Sequence, residues 1–155
     1  MNPENKLIEL GLTLPPESKP AGNYSNAVVS GNLLYISGKT PLAGDKKIQG
    51  RLGSDYTAEE GYALARSACI NLLASVKHAV QSLNNVVRVV DLHGSLCTTE
   101  DFQDHATVLD GASDLLAEVF GDKGLHTRSV IGVYSLRNGA PLTIKAILEV
   151  NPQNT

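Results

Sequence analysis

From Thr57 onward the chain carries a pattern that leaves its backbone little choice. Thr57-Ala58-Glu59-Glu60 is a capping box: the threonine hydroxyl takes the third helical amide, and the glutamate side chain returns to the threonine N–H. Ala65, Ala68/Cys69, Leu72/Leu73, Val76, Ala79/Val80 and Leu83 follow at helical spacing. They predict a long amphipathic helix ending near Asn84-Asn85. A helix with one apolar face has to bury it, so the flanking segments must supply a complementary layer.

Those segments read mainly as strands. Residues 86–97 are β-branched and apolar, hence a strand despite Asp91 and His93. Residues 106–120 repeat the helical spacing and stop at Gly121. Upstream, residues 28–37 read as two β segments around a Ser30-Gly31-Asn32 turn. Downstream, one alternating run puts Val130, Gly132, Tyr134 and Leu136 on a face, and another does so with Leu142, Ile144, Ala146, Leu148 and Val150. Asn138-Gly139 between them is a strong hairpin signal, so the two runs are expected to pair with each other.

At the N-terminus, residues 5–10 form a short helix candidate that Gly11 stops, and Pro15-Pro16 and Pro20 enforce an extended segment. Residues 38–53 are turn-rich and read as loop, with room for a short strand near Ile48. The order ββ, helix, β, helix, ββ predicts an α+β fold, a mixed sheet with two long helices packed on one face. Without internal repeats, residues 1–155 read as a single domain, of which 1–20 are the N-terminal helix and proline-rich extension.

Thirteen basic against sixteen acidic residues leave a net charge of −3. That balance gives no broad footprint for nucleic acid or an anionic membrane, although it leaves room for a local basic pocket. Cys69 and Cys97 lack metal or redox spacing and read as buried free thiols. With no apolar run of signal-peptide or membrane-spanning length, a cytoplasmic location is expected.

Generic catalytic motifs are absent, and no histidine pair has ligand spacing, so no metal is expected. His78 reads as a solvated helix residue and His105 as an ordinary first-turn residue. His93 reads as a core imidazole or a subunit contact, and His126 and Lys39 are open candidates for a pocket. Arg128 enters a strand between apolar neighbours, where a guanidinium needs a carboxylate or phosphate. Its ordinary reading is a surface arginine paired with Asp or Glu. Tyr24, after Gly22-Asn23, and Ser37-Gly38, at a strand end, are weak signals when taken singly.

Taken together they are more telling. Pro20-Ala21-Gly22-Asn23-Tyr24, Gly31-Asn32-Leu33-Leu34-Tyr35-Ile36-Ser37-Gly38 and Thr127-Arg128-Ser129-Val130, with Ala140-Pro141-Leu142 downstream, resemble the RidA/YjgF family. These are the enamine/imine deaminases once described as L-PSP endoribonucleases and translation inhibitors. The resemblance covers residues 20–150, and the N-terminal helix and residues 108–116 resemble a longer branch of that family. It implies a chorismate-mutase-like fold and a homotrimer with ligand sites between subunits, using no metal or organic cofactor. A second, open sheet face with Ile131, Val133 and Ile147 is what such an interface would cover.

By the same resemblance, Arg128 forks onto the carboxylate of a 2-imino or 2-oxo acid. Ser37 and Gly38 line the same cleft, and Tyr24 closes it. Deaminating members carry a water-positioning glutamate on the last strand. The matching position here is Thr143, with Lys145 two further on, and a threonine is a poor general base. Hydrolytic deamination of small 2-imino acids is therefore the first functional expectation, with Arg128 and Thr143 in the reacting site. A trimer that binds small carboxylates with little or no turnover is the second. An RNA-cleaving role ranks last, because the acidic balance lacks a basic aromatic surface.

Overall fold

The computed structural model describes residues 1–44 and 46–151. Its elements are α1 (Pro3–Glu9), β1 (Ala27–Ser30), β2 (Leu33–Lys39), α2 (Ala58–Val80), β3 (Val86–Cys97), α3 (His105–Phe120), β4 (Thr127–Val133) and β5 (Leu142–Val150). The expected α+β architecture is present. A five-stranded sheet in the order β1-β2-β5-β3-β4 carries α2 and α3 on one face. Only β3 and β4 run parallel.

The sheet order corrects one expectation. β4 and β5 do not form a hairpin, because β3 lies between them. Asn138 and Gly139 do adopt the paired left-handed conformation that makes this dipeptide a hairpin signal, with φ of 58° and 71°. Here that bend lies in a short 3₁₀ turn, Arg137–Gly139, within a crossover. The physical reason lies in the β3–α3–β4 unit. A helical connection makes β4 parallel to β3 and takes β3's outer edge, so β5 pairs with the inner edges of β3 and β2. Flanked on both sides, β5 buries Leu142, Ile144, Ala146, Leu148 and Val150 under the helices.

Three local expectations also shift. α2 ends at Val80, where Gln81 turns left-handed (φ 70°), and Leu83–Asn85 continue as a 3₁₀ turn rather than as helix. No strand forms at Ile48; the nearby Leu52 makes isolated bridges to Tyr56 and Thr98. β4 stops at Val133, which leaves Tyr134 almost fully exposed beyond it.

The Thr57 capping box forms as expected, and the core lies between sheet and helices. Ala68, Cys69, Leu72 and Leu73 of α2 and Leu109, Leu115 and Leu116 of α3 are fully buried there. Both cysteines are free and buried, and burial pushes the Cys69 thiol up to about 12. The two helices meet backbone to backbone at Gly111, where an added Cβ would drive into the Tyr62 carbonyl. α1 is pinned by Glu4, whose carboxylate accepts from the Leu83 N–H at 2.8 Å, Lys77 Nζ at 3.0 Å and Ser82 Oγ at 3.2 Å. No helix is long and apolar enough to cross a membrane, among the described residues.

Two predictions follow from this packing. Alanine normally favours a helix over glycine, yet Gly111→Ala should lower stability by about 3 kcal/mol through overpacking. In thermal unfolding that is a fall of roughly 6–12 °C; a rise would contradict the close approach. At Glu4, burial raises the carboxyl pKa, but the Leu83 amide, the Lys77 ammonium and the Ser82 hydroxyl outweigh it and hold the group below its ordinary value of 4.5. The stabilisation is thus complete above that ordinary value and lost as acid takes the pH down through the lowered one. Urea titrations should show Glu4→Gln removing this part of the pH dependence.

Candidate functional site

The site begins with an irregularity in β2. Ile36 pairs with Ala146 and Lys39 with Ile144, so β2 spends one more residue than β5 over the same interval. Such a bulge re-aims side chains and disturbs the ladder, and the residues in it are Ser37 and Gly38. Lys39 is thereby turned inward, with Nζ 2.8 Å from Asn26 Oδ1. Burial pushes its ammonium below the ordinary lysine range, opposed by the Glu17 carboxylate.

Gly38 faces Thr143 across the β2–β5 pair, and a Cβ on Gly38 would stand only 2.9 Å from Thr143 Oγ1. Gly38 and Thr143 line a cavity of about 460 Å³, within the range of small-molecule sites. Tyr24 forms one wall, and the crossover residues Arg137 and Asn138 form another. Lys46 and Lys47 add two further cations, so the lining is locally basic despite the acidic chain. Hydrogen bonds from Gln49 Nε2 to the Asn138 carbonyl (2.9 Å) and from the Gly50 N–H to the Gly139 carbonyl (3.0 Å) tie the two rims together.

Ser37 contributes indirectly. Its hydroxyl donates to the Ser25 carbonyl at 2.6 Å and its N–H to the Asn26 carbonyl at 2.9 Å. It therefore fixes the segment that carries Tyr24, and it does not line the cavity. Tyr24 is itself held in a tight turn, its hydroxyl accepting from the Ala21 N–H at 3.1 Å.

Arg128 stands elsewhere. It is aligned with Leu92 of β3 and, through it, with Ala146 of β5. Those neighbours are buried under the helices, so Arg128 projects from the helix-covered face at the far edge of the sheet. Within one chain the structure thus brings Tyr24, Gly38 and Thr143 together and does not bring Arg128 to them. The guanidinium instead meets α3: one nitrogen donates to Asp110 Oδ1 at 2.8 Å and to Ser113 Oγ at 3.1 Å, the other to the Ala106 carbonyl at 3.3 Å.

His126 completes that second cluster and lies outside the Gly38 cavity. Its Nδ1 is 2.6 Å from the Gly124 carbonyl, so Nδ1 is the protonated nitrogen and Nε2 accepts the Ser113 hydroxyl at 2.9 Å. Spacing gave no sign of Asp110, Ser113 or the loop cations as site residues, because three-dimensional neighbours on different elements leave no local motif. Among the described residues, no three His, Cys, Asp or Glu gather as metal ligands.

The Arg128–Asp110 pair is partly solvated, so it stabilises the fold by no more than about 1 kcal/mol. Arg128→Ala should accordingly fold and melt within roughly 4 °C of the parent. A collapse of the variant on heating or in urea would assign the arginine to the fold instead.

Comparison with known proteins bears on this geometry. The model of the family described as "YjgF/chorismate mutase-like, putative endoribonuclease" matches residues 4–141. Protein TCP17 of Trypanosoma cruzi is 36% identical over 149 residues, covering 94% of this chain and 92% of that one. A crystal structure described as a "putative endoribonuclease" from Shewanella oneidensis MR-1 superposes with a TM-score of 0.93 at 36% identity, covering 97% of this chain and 100% of that one. A protein of unknown function from Agrobacterium tumefaciens gives 0.86 at 37% identity, with 96% and 91% covered.

Proposed function

Because the chain belongs to the YjgF/chorismate mutase-like family, we propose that it binds a small 2-imino acid at the Gly38–Thr143 cavity and hydrolyses it to a 2-oxo acid and ammonia. The observation that carries this reading is the bulge at Ser37-Gly38. It opens a cavity against a strand hydroxyl, Thr143, beneath a basic rim suited to an anion.

Imine hydrolysis needs a water held beside C2 and a fixed carboxylate, and orientation supplies most of the acceleration. Thr143 Oγ1 is the group placed to hold the water. Gly38 carries no side chain, so the substrate nitrogen or oxygen can approach the backbone closely there.

The proposal assigns the carboxylate to Arg128 of a neighbouring copy in a homotrimer. In one chain Arg128 and the cavity occupy opposite sides of the sheet, and Tyr35 and Ile131 remain exposed on its open face. A site divided between copies uses both edges and covers that face. Asp110 and the Ser113–His126 pair then hold the guanidinium in orientation while leaving it capacity for a ligand carboxylate.

A second reading is favoured by Thr143 itself. A hydroxyl is no general base near neutral pH, so the same cavity fits a protein that binds 2-oxo acids with little turnover. Cleavage of RNA is disfavoured by the net charge of −3.

The test is release of 2-oxo acid from 2-aminoacrylate, generated in situ by a pyridoxal-phosphate-dependent dehydratase. The protein should accelerate release, and Arg128→Ala should reduce the acceleration at least about tenfold, the loss expected when a charged anchor is removed. Calorimetric binding of 2-oxobutanoate without any acceleration would replace this reading with the second. Full activity in Arg128→Ala would remove the arginine from the site.

A further inference from the structure

A second cavity, about 230 Å³, shares Gly38 and Thr143 with the first and is otherwise walled by His93, Ser95, Ile144 and Lys145. Alternation along β3 puts His93 and Ser95 on one face of the sheet, opposite the buried Leu92 and Leu96. In the β3–β5 register Ser95 is the direct partner of Thr143, and His93 is the partner of Lys145. Directly opposed side chains start about 5 Å apart at Cβ, so Ser95 neighbours Thr143 across the pair and His93 along its own strand.

The imidazole is held from both sides, with Nδ1 2.7 Å from Ser129 Oγ and Nε2 3.2 Å from Ser95 Oγ. When the Nδ1–H donates to Ser129, Nε2 is left to accept from Ser95. An imidazole so oriented faces the reacting end of the cavity.

We propose that His93 is the proton acceptor for a water held at Thr143, supplying the basic group that a threonine cannot. The proposal rests on the imine-hydrolysis reading above. The water oxygen bonds to C2 of the iminium, and the C=N π pair moves to nitrogen. The water's proton passes through the Ser95 hydroxyl, which lines the same cavity, to His93 Nε2. Return of that proton to the amine breaks the C–N bond as the oxygen lone pair closes the carbonyl. Ammonia leaves with the hydroxyl proton as ammonium, and no oxidant or cofactor enters the balance.

The charged groups that face His93 are Lys145 from β5 and Asp91, two residues back on β3, whose carboxylate accepts from Thr127 Oγ1 at 2.7 Å. From β4 it is faced by the hydroxyls of Thr127 and Ser129. The pH profile is therefore read against Lys145 and Asp91 as well as His93.

The experiment is the same imine assay, run from pH 5.5 to 8.5 with the spontaneous rate subtracted, on the parent, His93→Gln and Ser95→Ala. Glutamine keeps hydrogen bonds at position 93 but does not titrate in this range. His93→Gln should lose about 100-fold in kcat/KM, the usual worth of a positioned base. It should also lose the fall in rate towards acid that a protonating imidazole imposes. Ser95→Ala, with the imidazole intact, should lose a comparable factor because the relay is cut, and it decides the question if His93→Gln does not fold.

Parent-like rates and pH profile in His93→Gln, with Arg128→Ala still defective, would overturn the role of His93 and leave the imine reading standing. A parent that does not accelerate release overturns both.

Discussion

The insertion of β5 between β2 and β3 is the constraint on which the rest of the structure depends. As the last strand, it pairs antiparallel on both sides and seals the sheet, with its apolar residues turned to the helices. The alternate residues of β5 are consequently committed to the open face. Thr143 meets Gly38 on one side and Ser95 on the other, and Lys145 meets His93. Had β5 paired with β4 as a hairpin, Gly38 and Thr143 would have no common cavity.

The same insertion explains why Arg128 is remote. The β3–α3–β4 crossover sends β4 to the sheet edge, and there Arg128 joins the helix side through Asp110 and Ser113. An ion pair that is partly open to solvent contributes little to folding. Its value lies in fixing the direction of a planar, always-charged fork. One chain thus presents the Gly38–Thr143 cavity at one place and an oriented guanidinium at another, on the helix-covered side of the sheet. The proposed function joins the two in a site divided between copies.

Much of this was legible in the sequence because it was written locally. The capping box at Thr57, the helical spacing of α2 and α3 and the β-branched run of β3 each name their element with few competitors. The Asn138-Gly139 signal specifies a bend but not the expected hairpin, since dihedral preference fixes a turn but not the strands that it joins. Tyr24, Gly38 and Thr143 came from resemblance, and they do meet. Ser37, from the same source, acts through the Ser25 carbonyl and so supports the wall. Asp110, Ser113 and the facing of His93 towards Thr143 depend on register between distant segments, which no short spacing encodes.

The central claim is that the reacting site is shared between copies, and complementation tests it most directly. Arg128→Ala and Gly38→Ala chains, each expected to be inactive alone, are mixed in equal amounts, unfolded together and refolded. In a symmetric assembly with one site per interface, each site draws one half from each of two copies. Random mixing then restores about a quarter of the parental imine hydrolysis. Recovery of that order is the result the account predicts. Refolded mixed assemblies with no more activity than the separate variants would place the whole site within one chain and contradict it.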